Sequence, residues 1–141
     1  MAKISSMPAA RSKILSKELI RQVQRAVKNA YAPYSKIQVG AGILCKGDRI
    51  YSGANIENSS YSLSICAERV AIFKAISEGE KRFQILLVYS PQIDFILPCG
   101  ACLQVISEFA PDIIVATMNK NIEFKFHPLC TLLSKAFVIK S

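Results

Sequence analysis

From Ser16 the apolar positions Leu19, Ile20, Val23, Ala26, Val27 and Ala30 recur at helical spacing behind a residue suited to cap a helix, and Pro33 offers a stop. This predicts a first helix with one apolar face. The pattern then shortens: Ile37 to Leu44 and Arg49 to Ile56 are apolar runs separated by Lys46-Gly47-Asp48, which predicts a hairpin. A polar loop from Glu57 to Ser64 leads to a second helix over Cys66 to Glu78, with Val70, Ile72, Phe73 and Ile76 as its apolar positions and Gly79 after it. Ile85 to Tyr89 is unbroken apolar sequence, as in a strand covered on both faces. Ala101 to Phe109 predicts a third helix burying Val105, Ile106 and Phe109, and strands are expected at Ile113 to Thr117 and Ile122 to Phe126. Helices alternating with strands around one sheet predict an α/β layered domain. Residues 1 to 12 show no periodicity and are expected to form a loose arm before a single domain over residues 13 to 141.

Composition narrows the classes. With 51% hydrophobic and 20% charged residues, the chain has enough apolar sequence for a core. No apolar run approaches the roughly 18 residues of a membrane span, so neither a membrane partner nor a signal peptide is expected. The net charge of +8 is spread along the chain without a basic run, so a solvated surface explains it more simply than a nucleic-acid partner. Five cysteines, an odd number without secretory features, point to reduced thiols in the cytoplasm.

The chemistry concentrates in two segments. Cys66-Ala67-Glu68 opens the second helix and Pro98-Cys99-Gly100-Ala101-Cys102 the third. Unpaired amides at a helix start stabilise anions and favour the thiolate that a metal requires. Cys66, Cys99 and Cys102 therefore form a candidate zinc site with an open fourth position, the pattern of a catalytic rather than a structural zinc. His127 and Cys130 are the other candidates for that position, but His127 reads as a surface or hydrogen-bonded residue, and Cys130, among Leu129, Leu132 and Leu133, as a small core side chain. Cys45 reads as packing. Three thiolates outweigh a dication, and Arg69 is placed to compensate. Glu68, two residues beyond Cys66, is the candidate general acid and base.

The two segments resemble the signature of the zinc nucleoside and nucleobase deaminases, a cysteine or histidine two residues before a glutamate followed by P-C-x-x-C. Tyr31-Ala32-Pro33-Tyr34-Ser35, Val39-Gly40-Ala41, Gly53-Ala54-Asn55-Ile56-Glu57-Asn58 and Ile65-Cys66-Ala67-Glu68-Arg69 follow in order the pattern of the short cytidine deaminases. The resemblance implies a three-layer α-β-α domain with a five-stranded mixed sheet and one zinc per subunit. It implies hydrolysis of cytidine or deoxycytidine in pyrimidine salvage, by a cytoplasmic homotetramer with shared active sites. It further implies that Asn55 and Glu57 bind the sugar, that the Ala67 amide binds the base carbonyl, that Tyr61 lines the site and that Phe137 reaches a neighbouring subunit's base. Three positions depart from the pattern: Ile37 replaces a usual aromatic beside the substrate, Leu103 an arginine and Ser134 a proline. These departures, with a tail that ends four residues after Phe137, also admit a modified cytosine nucleoside or antibiotic as substrate. An RNA-editing deaminase, a structural zinc module closed by Cys130 and a redox dithiol at Cys99 and Cys102 are the competing readings.

Overall fold

A computed structural model describes residues 15–139, so the arm expected at 1 to 12 lies outside the described residues. The elements run α1 (Lys17–Val27), β1 (Gly40–Cys45), β2 (Ile50–Ala54), a 3-10 turn (Tyr61–Leu63), α2 (Ala67–Ser77), β3 (Phe83–Tyr89), α3 (Gly100–Phe109), β4 (Ile114–Met118), β5 (Phe124–Pro128) and the short α4 (Leu129–Leu132). One five-stranded mixed sheet has the order β2-β1-β3-β4-β5. Among the five strands described, only β3 and β4 pair in parallel, and α3 supplies the crossover that a parallel pair requires. The architecture is the three-layer α/β sandwich that the resemblance implied.

Alternation along the strands divides the core in two. Ala41, Ile43, Leu86, Val88 and Val115 face α2 and α3, while Leu44, Ile85, Leu87, Ala116, Met118 and Phe124 face α1. Each fully buried Leu, Ile or Phe contributes about 1.5–3 kcal/mol of transfer free energy. The Ser16 hydroxyl caps α1 by accepting from the Leu19 amide at 3.1 Å. The helix stops at Val27 rather than at Pro33, because the amides of Asn29 and Ala30 turn back to the carbonyls of Ala26 and Val27. Residues 31 to 39 then form an irregular segment stitched to the chain just after β2: the Tyr31 amide donates to the Asn55 carbonyl, and the Glu57 amide to the Tyr31 carbonyl.

Glycine lets α1 approach the sheet closely. A Cβ at Gly40 would sit 2.6 Å from the Val23 carbonyl oxygen and 3.0 Å from the Val27 Cβ. A backbone oxygen inside a helix cannot step aside, so Gly40→Ala is expected to cost about 1–3 kcal/mol as an overpacked site. A lower urea midpoint at unchanged slope would register this, and an unchanged midpoint would refute it.

Two helix faces differ from the pattern-based expectation. In α2 the buried stripe is Ala67, Ala71, Ile72 and Ala75 with Glu68, while Phe73 is exposed. Small residues face the sheet where β2 and the helix backbone lie so close that a Cβ on Gly53 would be 2.9 Å from the Ala71 amide nitrogen. In α3, Cys102, Leu103 and Ile106 are buried and Phe109 is exposed. Cys130 is exposed on α4 rather than part of the core. Cys45 is fully buried, and burial pushes its thiol up to about 11, as packing requires.

His127, on β5, keeps a buried Nε2 with no hydrogen-bond partner among the described residues. Burial, with Lys125 adding, holds its pKa below the ordinary 6.5. Below that value the unfolded chain takes up a proton that the folded chain resists, so stability falls as pH drops through 6.5. In His127→Gln the loss of melting temperature between about pH 7.5 and 5 is expected to be smaller than in the parent, and coincident slopes would discount the histidine.

Candidate active site

The topology brings two helix starts together. Strands β2 and β3 both run antiparallel to β1, so both deliver the chain to the same end of the sheet. There Cys66 caps α2 and Cys99 caps α3, each with extended backbone and no side-chain capping bond, which leaves the sulfurs free. Because α2 and α3 cover the same face, their first turns converge.

The Sγ atoms of Cys66, Cys99 and Cys102 all lie within 4.8 Å of one another, and no fourth ligand joins them among the described residues. Cys99 is 3.7 Å from both of the others. Two zinc–sulfur bonds of about 2.3 Å at a tetrahedral angle place their sulfurs about 3.8 Å apart, so the cluster fits that metal. Arg69 donates from Nη2 to Cys66 Sγ at 3.4 Å, and its buried Nε has no hydrogen-bond partner among the described residues. Without metal, Cys66 is held below the ordinary thiol range, first by the Cys102 thiol and then by Arg69, whereas Cys102 is pushed up by donating to Cys66 and by burial. Cys66 is thus the thiol most readily ionised of that pair, and a bound cation would displace the proton that Cys102 keeps.

Glu68 follows in the first turn of α2, 4% exposed. Burial raises its carboxyl from 4.5 to about 7, and the adjacent Cys66 charge pushes in the same direction. A carboxyl in that range can both take and give a proton near neutrality.

A hollow of about 360 Å³ opens beside the cluster, lined by Cys66, Ala67, Glu68, Arg69 and Cys99 and also by Asn55, Glu57 and Tyr61. Eight of the residues singled out in the sequence therefore meet at one cavity. Cys102 lies behind it, fully buried. Ile37 packs half-buried against the core, and Phe137 is held away from the hollow, its backbone clamped by the Gln104 amide through bonds of 2.8 and 3.2 Å. Of the remaining lining, Val39 and Ile65 belong to the motifs quoted above without a role assigned to them, and the sequence does not mark Ser64, Ile96 or Leu97 as site residues. Leu97 is 50% exposed immediately before Pro98-Cys99, and an apolar residue stranded at a helix entrance is the signal that could have marked it.

Asn55 and Glu57 are engaged within the chain. Asn55 accepts from the Val39 amide and donates to the Ile37 carbonyl, both at 2.8 Å, which leaves one donor and one acceptor lone pair. Glu57 takes the amides of Tyr34 and Ser35 on Oε1 at 3.0 and 3.1 Å. These bonds, with the Ser35 side chain first, hold its carboxyl below the ordinary range, so it is ionised at neutral pH.

Comparison with known proteins places this arrangement. The profile of the cytidine and deoxycytidylate deaminase zinc-binding region matches residues 14–118, a span containing all three cysteines and Glu68. The chain belongs to this deaminase family. A cytidine deaminase of Sporosarcina psychrophila is 50% identical over 92 residues, 65% of this chain and 68% of that protein. The blasticidin-S deaminase of Bacillus cereus is 37% identical over 89 residues, 57% of this chain and 64% of that protein. Among solved structures, the cytidine deaminase of Burkholderia pseudomallei superposes with a TM-score of 0.81 at 35% identity, covering 87% of this chain and all of the other. The likeness to a deaminase fold thus extends well beyond the cysteine motifs, and it includes the layers that carry the two helix starts.

Proposed function

We propose that this chain hydrolyses the exocyclic amine of cytidine and deoxycytidine as free nucleosides, releasing ammonia and the uracil nucleoside. The observation that carries the reading is a buried carboxyl, Glu68, lining the same hollow as a three-thiol zinc cluster. Cys66, Cys99 and Cys102 would hold the zinc, which when bound supplies the Lewis acidity that makes water a nucleophile at neutral pH.

The protein's own residues do the rest. Glu68 takes a proton from the attacking water and passes it to the ring nitrogen beside the target carbon, which polarises the ring. It then carries the second proton to the amine. The carbon–nitrogen bond breaks, and ammonia leaves. Asn55 and Glu57 offer the sugar hydroxyls the donor and acceptors that their bonds to the loop leave over, the Ala67 amide faces the base, and Tyr61 walls the hollow. Arg69 offsets the surplus negative charge of three thiolates.

Charge at the hollow favours a neutral nucleoside. The carboxylate of Glu57 and the carboxyl of Glu68 line it, and its cation, Arg69, is committed to Cys66. Among the described residues no other cation lines the hollow to meet a phosphate, which weighs against a nucleotide or RNA substrate. A homotetramer in which Phe137 reaches a neighbouring subunit's site, working in the cytoplasm in pyrimidine salvage, completes the proposal.

The second reading, a deaminase of a modified cytosine nucleoside, is favoured by the likeness to blasticidin-S deaminase. Ammonia release from cytidine, deoxycytidine, deoxycytidine monophosphate, cytosine and blasticidin S separates the two. Turnover of the two plain nucleosides is expected, turnover of blasticidin S alone would establish the second reading, and preferential turnover of the monophosphate would refute the charge argument.

A further inference from the structure

The basic charge that the catalytic hollow lacks is concentrated on the other side of α2. A groove of about 490 Å³ runs between α1 and α2, with the edge strand β2 as its floor. Its cations are Arg21 and Arg25 from α1 and Lys74 from α2, and no acidic side chain lines it among the described residues. Arg25 has no ion pair among the described residues. Lys74 donates to the Ser52 carbonyl of β2, which leaves two ammonium protons. Arg21 holds Glu18 with Nε and Nη2, which leaves Nη1. A lysine bonded to the backbone of an edge strand also guards that edge against pairing with other chains, but that accounts for neither Arg25 nor a groove of this volume.

The floor has a different character: Val70 and Ile56 present apolar surface, and Asn29 adds an amide at the rim. An apolar floor bordered by three cations suits a ligand with a flat, weakly polar part and several phosphate oxygens. We propose that this groove binds a free nucleotide, its phosphates on Arg25, Lys74 and the open edge of Arg21, its base over Val70 and Ile56. A nucleotide suits it better than a nucleic-acid strand because three cations line one hollow, while the remaining basic residues are scattered along the chain.

Titration of the zinc-loaded protein with ATP, followed by calorimetry and by amide NMR shifts, tests this without reliance on deaminase activity. One-to-one binding is expected, with shifts centred on Asn29, Gly53 and Val70. Arg25→Ala, an exposed position without an ion pair, is expected to weaken binding about tenfold, the loss of one charge-assisted hydrogen bond, while cytidine turnover stays unchanged. Inorganic tripolyphosphate is expected to bind more weakly than ATP because it leaves the floor bare. Equal ATP affinity in Arg25→Ala and Arg25→Ala/Lys74→Ala would overturn the proposal, as would shifts confined to Cys66, Ala67 and Glu68. Tripolyphosphate binding as tightly as ATP would overturn the role of the base, and binding of single-stranded RNA without binding of ATP would give the groove to a nucleic acid.

Discussion

Glu68→Ala is expected to lower kcat by about 10²–10⁴-fold or more while the protein stays folded and zinc-loaded, because positioned proton transfer contributes that much and here one group serves every transfer. Glu68→Gln, which keeps the volume and some hydrogen bonding but cannot shuttle a proton, is expected to fall comparably. Near-normal turnover in either variant would remove Glu68 from the mechanism. The same side chain leaves a mark on stability. In the metal-free chain its carboxyl is raised from 4.5 to about 7, so the folded state resists an ionisation that the unfolded state permits. The resulting loss of stability is absent below 4.5, grows as pH rises and is complete above about 7. Its size is on the order of 3 kcal/mol. Metal-free Glu68→Ala is therefore expected to lose less stability than the metal-free parent between those limits, and chemical denaturation at several pH values measures the difference.

Removing any one of Cys66, Cys99 or Cys102 is expected to abolish stoichiometric zinc, and activity with it. Two thiolates and water cannot match the affinity of three preplaced sulfurs, 3.7 Å apart across two of their edges. Cys130→Ala is expected to keep both, since its thiol is exposed on α4 and does not join the cluster. Zinc analysis after gel filtration reads the result, and loss of zinc from Cys130→Ala would restore the closed structural site. Chelation should lower the melting temperature of the parent but leave that of Cys66→Ala unmoved, because only the parent has bound metal to lose.

The elements of the fold were legible where local chemistry is strong. Ser16 before a periodic apolar run marked the start of α1, and the apolar run from Ile85 marked the central strand. Both helix starts that carry the cysteines could be placed to within a residue or so, because a polar loop before the first and Pro98 before the second interrupt the pattern just ahead of each run. Helix phase was harder. Alanine carries little signal, so the buried stripe of α2 was overshadowed by the larger Val70, which lies against Gly53 beside that stripe, and Phe73, which is exposed, and the proximity of β2 is a tertiary fact. Cys130 was misjudged for a related reason: its leucine neighbours lie on a four-residue helix too short to impose a face. At the site, residue types and spacing indicated the metal and the proton carrier. They could not show that Asn55 and Glu57 also fasten residues 34 to 39, since those bonds join segments 16 to 23 positions apart.

The cysteines of the two helix starts stand 33 positions apart in the chain, with all of α2 and β3 between them. A metal held by Cys66 and Cys99 therefore closes a covalent-like circuit around the central strand, and the unfolded chain would have to open that circuit or carry its loss of freedom. The same ion that the chemistry needs thus fastens the middle of the sheet, so the chain should resist mechanical pulling from its ends most strongly along that one loop.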